Sequence, residues 1–125
     1  MASNREISRR FNLYGELLLL HEKNERLAAL LNGASYRIRN FEIDIASLVK
    51  KQLAESFRPE IVKIIAELST TGTIEDLDEL IQLTPLGLFE MMRIKGLGGK
   101  KLSVLWKKTK IDSIDALLEA CKIIR

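Results

Sequence analysis

The chain has 125 residues, of which 46% are hydrophobic and 30% are charged, and it carries a formal net charge of +3. This length allows one core, arranged as one compact domain or as two small packed halves. One cysteine excludes an intramolecular disulfide, and the N-terminus has no apolar signal core, so we expect a reducing, cytoplasmic location. The apolar run at 17–20 is too short to span a bilayer, so we expect no membrane partner.

Apolar residues recur at helical spacing along the chain, which predicts an all-α fold, a compact bundle of short helices. Asn4 is a suitable N-cap for a first helix, which a break near Gly15 could interrupt and which Asn32 and Gly33 would end. A second helix is predicted from about Phe41. It would carry four apolar side chains inward: Ile45, Leu48, Val49 and Leu53.

Proline and glycine mark the limits of the later helices, because proline suits a first turn and glycine a helix end. The four residues that would face the core in the third helix are Ile61, Val62, Ile65 and Leu68. The third helix is predicted from Pro59 to Gly72, the fourth from a cap at Thr73, and the fifth from Pro85. A further helix is predicted from about Gly99 to Thr109, and the last from Asp112 or Ser113 to near Ile123.

Positive charge is concentrated near the C-terminus. Residues 86–125 contain nine Lys or Arg and four Asp or Glu, a balance of +5, whereas residues 1–85 contain eleven and thirteen, a balance of −2. Such a charge run is usually a solvated face. Where it coincides with a backbone anion site, however, it favours a nucleic-acid phosphate partner.

That anion site is predicted at 94–101, where the letters IKGLGGKK place a glycine-rich turn before a basic amphipathic helix. The glycines permit a close backbone approach, and the first N–H groups of a helix lack partners inside it. We therefore expect the amide protons of 96–99 to face solvent and to bind phosphate, as in a helix-hairpin-helix. The predicted contacts are Lys95, Gly96, Gly98, Gly99, Lys100 and Lys101.

Two other phosphate-binding turns fit these residues less well. A dinucleotide-binding loop is disfavoured because no β-branched strand precedes it, and a Walker phosphate loop is excluded because no Ser or Thr follows Lys100. An ordinary connection between packed helices stays open as an alternative.

The segment from Ser56 repeats at Gly96, an offset of forty residues. Shared apolar spacing can arise by chance in helical proteins, but a tight turn at the same phase favours duplication. We therefore expect tandem helix-hairpin-helix units, the first degenerate because Ser56 and Arg58 replace the two glycines. The units define an N-terminal domain at 1–70 and a second unit at 71–125. The matched pairs include Phe57 with Leu97, Pro59 with Gly99, and Val62 with Leu102.

Several motifs along the chain resemble one family. They are Asn4–Ile7, Tyr36–Arg39, Thr71–Ile74, Thr84–Leu88, the letters MMRIKGLGGKK at 91–101, Ile111–Ser113 and Leu118–Cys121. Together they resemble the N-terminal helix-hairpin-helix (8-kDa-like) region of bacterial family X DNA polymerases of the PHP-containing type. The resemblance implies a segment that grips DNA beside a gap, while the catalytic chemistry belongs to later domains.

The resemblance also implies further site residues. Tyr36, Arg37 and Arg39 would bind a DNA 5′-phosphate, although exposed Arg and Tyr are equally ordinary on a helix. A monovalent cation, Na⁺ or K⁺, would be held by the backbone carbonyls of Gly96 and Gly98. No other cofactor is expected.

We expect no catalysis from these 125 residues, which are either a fragment of a longer polymerase or a free-standing binding module. Some relatives act as deoxyribose-phosphate lyases, but the position comparable to their Schiff-base lysine is Ile64 here, beside Lys63, and Phe41 replaces a tyrosine. We therefore predict no lyase activity. His21 is expected to be a solvated helix residue, and Trp106 to lie in the core or at its edge.

Two functions follow as hypotheses. The first is non-sequence-specific binding of gapped or intact duplex DNA in repair, through backbone phosphates. The alternative is a protein-interaction module in which the second hairpin is vestigial.

Overall fold

The computed structural model of the protein describes residues 3–92 and 98–109, and within them all regular structure is helical. The predicted all-α fold is therefore confirmed. The helices are α1 (Asn4–Leu20), α2 (Glu25–Arg39), α3 (Lys50–Ser56), α4 (Pro59–Thr71), α5 (Glu75–Leu83), α6 (Leu86–Met91) and α7 (Gly99–Thr109), with one 3₁₀ turn at Ile45–Ser47.

The two longest helices, α1 and α2, form an antiparallel pair at the centre of the fold. The predicted break at Gly15 is wrong, because Gly15 lies inside α1. A Cβ there would lie 3.2 Å from the Ala28 carbonyl oxygen, so this glycine allows α2 to pack closely. The predicted end at Asn32 and Gly33 is also wrong, since both lie inside α2.

The actual break between α1 and α2 falls at residues 21–24. The N–H of Lys23 donates to the Leu18 carbonyl at 2.8 Å and that of Glu22 to the Leu19 carbonyl at 3.2 Å, the pattern of a Schellman motif. Glu22 occupies its left-handed position, with φ of 53°. The Asn24 side chain then caps α2 by accepting from the Leu27 N–H at 3.0 Å.

The predicted helix from Phe41 is replaced by an irregular segment, and α3 begins only at Lys50. The Asn4 side chain holds the backbone of this segment at 43–45. It donates to the Ile43 carbonyl at 2.8 Å and accepts from the Ile45 N–H at 2.7 Å. Ser3, not Asn4, caps α1. Val49 was expected inward but is 62% exposed.

The predictions for α4 are confirmed. Pro59 is its first residue, Gly72 ends it with φ of 78°, and its buried residues are Ile61, Val62, Ile65 and Leu68. In α5 the N-cap is Ile74 rather than Thr73.

Side chains of α1 tie α5 to the central pair. The Tyr14 hydroxyl donates to Asp76 Oδ2 at 3.4 Å. Burial, and then the charge of Asp76, raise the pKa of Tyr14 to about 12, so its hydroxyl stays protonated.

The core lies where α1 meets the other helices. Its fully buried side chains include Ile7, Phe11, Leu17, Leu20, Leu31, Ile38, Ile45, Ile65, Leu77, Leu88, Met91 and Leu102. No helix among the described residues is both long and apolar enough to cross a membrane.

Candidate nucleic-acid interface

Helix α7 carries three of the predicted phosphate contacts, Gly99, Lys100 and Lys101, and it packs mainly on α1. Its observed bounds, Gly99–Thr109, confirm the predicted bounds of this helix. Leu102 is completely buried beneath it, and Leu105 is half-buried, as expected from their spacing. The first intrahelical bond runs from the Leu102 N–H to the Gly98 carbonyl at 3.0 Å.

The amide of Gly99 does not face solvent. Gly99 is buried, and its N–H donates to Glu16 Oε2 at 2.5 Å. A Cβ at Gly99 would collide with the backbone carbonyl of Glu16, so this glycine serves close packing of α7 on α1. The expectation of a solvent-facing amide is therefore wrong for Gly99. A phosphate can reach this N–H only after Glu16 has moved.

The lysines of α7 differ in their surroundings. Lys107 Nζ lies 2.6 Å from Glu22 Oε2, and Lys100 Nζ lies 3.9 Å from Glu25 Oε1. The hydrogen bond from Lys107 lowers the pKa of Glu22, so that carboxylate is ionised at neutral pH. Lys101 is exposed, and within 3–92 and 98–107 it has no ion-pair partner.

Of the remaining predicted residues of the turn, the structure describes Gly98. Lys95 and Gly96 lie outside the described residues, as does the last predicted helix from 112. Gly98 is exposed, and its carbonyl keeps one lone pair after accepting from Leu102. The monovalent-cation site at Gly96 and Gly98 thus stays a prediction.

The second predicted group occupies the last turns of α2. Tyr36 is 71% exposed, and Arg37 and Arg39 are also exposed. Arg37 lies twelve positions after Glu25 on the same helix, or about 18 Å away at 1.5 Å per residue. The structure therefore places this group at the end of α2 away from α7, rather than beside it.

Arg58, which belongs to the unit predicted to be degenerate, lies near Arg37 of this second group. Arg37 and Arg58 border one shallow groove of about 190 Å³ whose floor includes Gly33 and Ala34. The Arg37 guanidinium lies 4.9 Å from the centre of the Phe57 ring, a cation–π contact that orients it. In the sequence, Arg58 could be noticed only as the basic residue before Pro59. Its position beside Arg37 depends on how α2 and α4 pack.

His21 and Trp106 join α7 to the end of α1. The rings meet edge to face with their centres 5.7 Å apart, and both are half-buried. The expected position of Trp106 at the core edge is confirmed. The expectation of a solvated His21 is wrong, because the packing of α7 covers it.

The residues that the resemblance compares with those of lyases differ in burial. Lys63 is exposed on α4, while Ile64 is partly buried against the core. Phe41 packs against Phe57 with ring centres 6.0 Å apart. Among the described residues, no group of three or more His, Cys, Asp or Glu could hold a metal ion.

Comparison with known proteins gives a partial similarity. Over 59 residues, which are 47% of this chain, the sequence is 34% identical to the DNA polymerase/3′-5′ exonuclease PolX of Bacillus subtilis (strain 168). The chain spans about a tenth of the length of that relative. No protein-family model matches this chain. This chain is thus similar to a segment of a PolX protein, in agreement with the resemblance of its motifs.

Proposed function

We propose that this chain is a non-sequence-specific DNA-binding module related to the N-terminal region of family X polymerases. The observation that carries the proposal is Lys101, an exposed and unpaired cation at the start of α7 among the residues described. Its position supports contact with a backbone phosphate, and the similarity to PolX supports DNA as the partner.

Lys101 stands apart from its neighbour because consecutive helix residues point about 100° apart. Lys100 faces Glu25, whereas Lys101 faces away from that carboxylate. The Tyr36, Arg37 and Arg39 group adds a second basic surface about 18 Å along α2, with one exposed ring that can stack on an unpaired base.

The test is fluorescence anisotropy with a labelled duplex, intact or with a one-nucleotide gap, titrated from about 50 to about 200 mM salt. We expect micromolar binding that weakens with salt. Lys101→Glu should weaken binding about tenfold and make the salt slope shallower by about 1.

The matched control is Lys51→Glu, which makes the same charge change at an exposed position on α3. It should alter affinity by less than about twofold. Equal losses in the two variants would show only a general effect of net charge and would contradict the assigned role of Lys101.

The second candidate, a protein-interaction module, is favoured by two exposed leucines. Leu83 and Leu86, on either side of the connection between α5 and α6, are 60% and 85% exposed. Apolar side chains in such positions can seat a partner. If the wild-type chain binds neither the intact nor the gapped duplex at low salt, that result would favour this candidate.

A further inference from the structure

We propose that Glu16 and Glu22 compete with DNA phosphates for α7. In the folded chain their carboxylates occupy the Gly99 N–H and Lys107, which together form the closed face of α7. This inference rests on the proposed DNA-binding function and concerns the regulation of the same surface. It deepens that function by naming the groups that a phosphate must displace.

Glu16 occupies the position that an anion would take at the start of α7. Its carboxylate accepts from the Gly99 N–H at 2.5 Å, and that amide is one of the helix donors with no intrahelical partner. Carboxylate and phosphate oxygens are bound at helix N-termini by the same N–H groups and the same dipole. The two ligands are therefore mutually exclusive at Gly99.

Glu22 does the same for the lysine at the other end of the helix. Its two carboxylate oxygens reach Lys107 Nζ at 2.6 Å and Ser103 Oγ at 3.3 Å. Lys100, Ser103 and Lys107 recur at intervals of three and four, so they share one face of α7. Glu25 faces the same groove, but its carboxylate is 3.9 Å from Lys100 Nζ, too far for a direct hydrogen bond, so its contribution is small.

The backbone at Glu22 supports a role for its side chain. Its φ of 53° lies in the left-handed region, where a Schellman motif normally places glycine. A side chain there costs free energy that glycine would avoid. The Glu22 carboxylate contacts Lys107 and Ser103 of α7, which a glycine at this position could not do.

On this face a phosphate must displace Glu16 to reach the Gly99 N–H and Glu22 to reach Lys107. Lys101 lies outside the closed face, so it can make the first contact while Gly99 and Lys107 stay occupied. Full engagement of α7 requires both glutamates to release it. Binding of wild type is correspondingly weakened.

The experiment measures duplex affinity and its salt dependence for Glu16→Gln/Glu22→Gln. Glutamine preserves the shape of each side chain and its ability to accept the same hydrogen bonds, but it removes the charge. The control is Glu55→Gln/Asp78→Asn, which removes the same charge from exposed sites on α3 and α5. Circular dichroism and urea unfolding check that both variants remain folded.

We expect the Glu16/Glu22 variant to bind about fivefold more tightly than the control, with a salt slope steeper by about 1, because Lys107 becomes available to a phosphate. Equal affinities and slopes in the two variants would overturn the inference while leaving the proposed function intact. If neither wild type nor either variant binds DNA, both the inference and the proposed function fail.

A measurement on the wild-type chain keeps the inference testable if the double variant unfolds. The amide resonance of Gly99 in a ¹H–¹⁵N spectrum should shift when duplex DNA is added, because Glu16 is displaced. A Gly99 resonance that stays fixed while DNA binds elsewhere would overturn the inference.

Discussion

The imidazole of His21 and the hydroxyl of Thr84 lie 2.8 Å apart and connect the end of α1 with the start of the link to α6. The Thr84 hydroxyl donates its proton to the Leu80 carbonyl at 2.7 Å, so His21 Nε2 must carry the proton of the contact. With Trp106 packed edge-on against the ring, one histidine joins three helical segments.

Because of this packing, stability should depend on the protonation of His21. Burial, followed by the charges of Lys23 and Lys107, lowers the pKa of His21 from 6.5. Between that lowered value and 6.5 the unfolded chain binds more protons, so stability is full above pH 6.5 and falls as the pH drops towards the folded-state pKa. Urea unfolding at about pH 7.5 and about pH 5.5 measures the loss.

His21→Gln is the control, because an amide can still donate to Thr84 but does not titrate in this range. It should show a smaller fall in stability between the same two pH values. A variant with the full pH dependence of wild type would assign the effect to other groups.

Substitution of glycine by alanine should have opposite effects at two positions. At Gly99 the new methyl group would meet Glu16 of α1, so we expect a loss of about 1–3 kcal/mol. At Gly33, inside α2, nothing lies within 4 Å of the new Cβ, and alanine should stabilise the helix by about 0.5–1 kcal/mol. Chemical denaturation of the two variants beside wild type provides the comparison, and a stabilised Gly99→Ala would contradict the close contact with α1.

The buried serines of α1 and α2 should behave as one unit. The Ser8 hydroxyl donates to the Ser35 carbonyl at 2.9 Å, the Ser35 hydroxyl donates to the Ser8 carbonyl at 2.8 Å, and the two hydroxyl oxygens are 2.8 Å apart. Ser8→Ala or Ser35→Ala alone should cost about 1–3 kcal/mol, because a buried group loses its partner. A double-mutant cycle should show that the pair costs less than the sum of the single changes. Strict additivity would mean that the two hydroxyls act independently.

We also predict no lyase activity. The family resemblance compares the Schiff-base lysine of lyase-competent relatives with Ile64 on α4, which has no amine, and the neighbouring Lys63 is exposed. Borohydride treatment with a 5′-deoxyribose-phosphate DNA should leave no covalent adduct. An adduct that persists in Lys63→Ala would show that another amine is in place and that the comparison with lyase-competent relatives is misaligned.

Elements set by local sequence were predictable. Pro59 and Gly72 define α4 because proline fits a first turn and glycine accepts a left-handed φ, and both effects act within a few residues. The apolar spacing of α4 and α7 likewise determined which faces are buried. In contrast, Gly15 and Gly33 suggested breaks that do not occur, because packing between α1 and α2 outweighs local helix propensity.

The amino-acid sequence by itself determined the helical class, the limits of α4 and α7, and the basic character of the C-terminal third, since periodicity, capping and charge are local properties. The tertiary structure alone decided which donors of α7 are occupied. Glu16 accepts a hydrogen bond from Gly99, which is 83 positions away in the chain, and Glu22 pairs with Lys107, which is 85 positions away. Only the docking of α7 on α1 brings these charges together, and no spacing rule within one helix could have paired them.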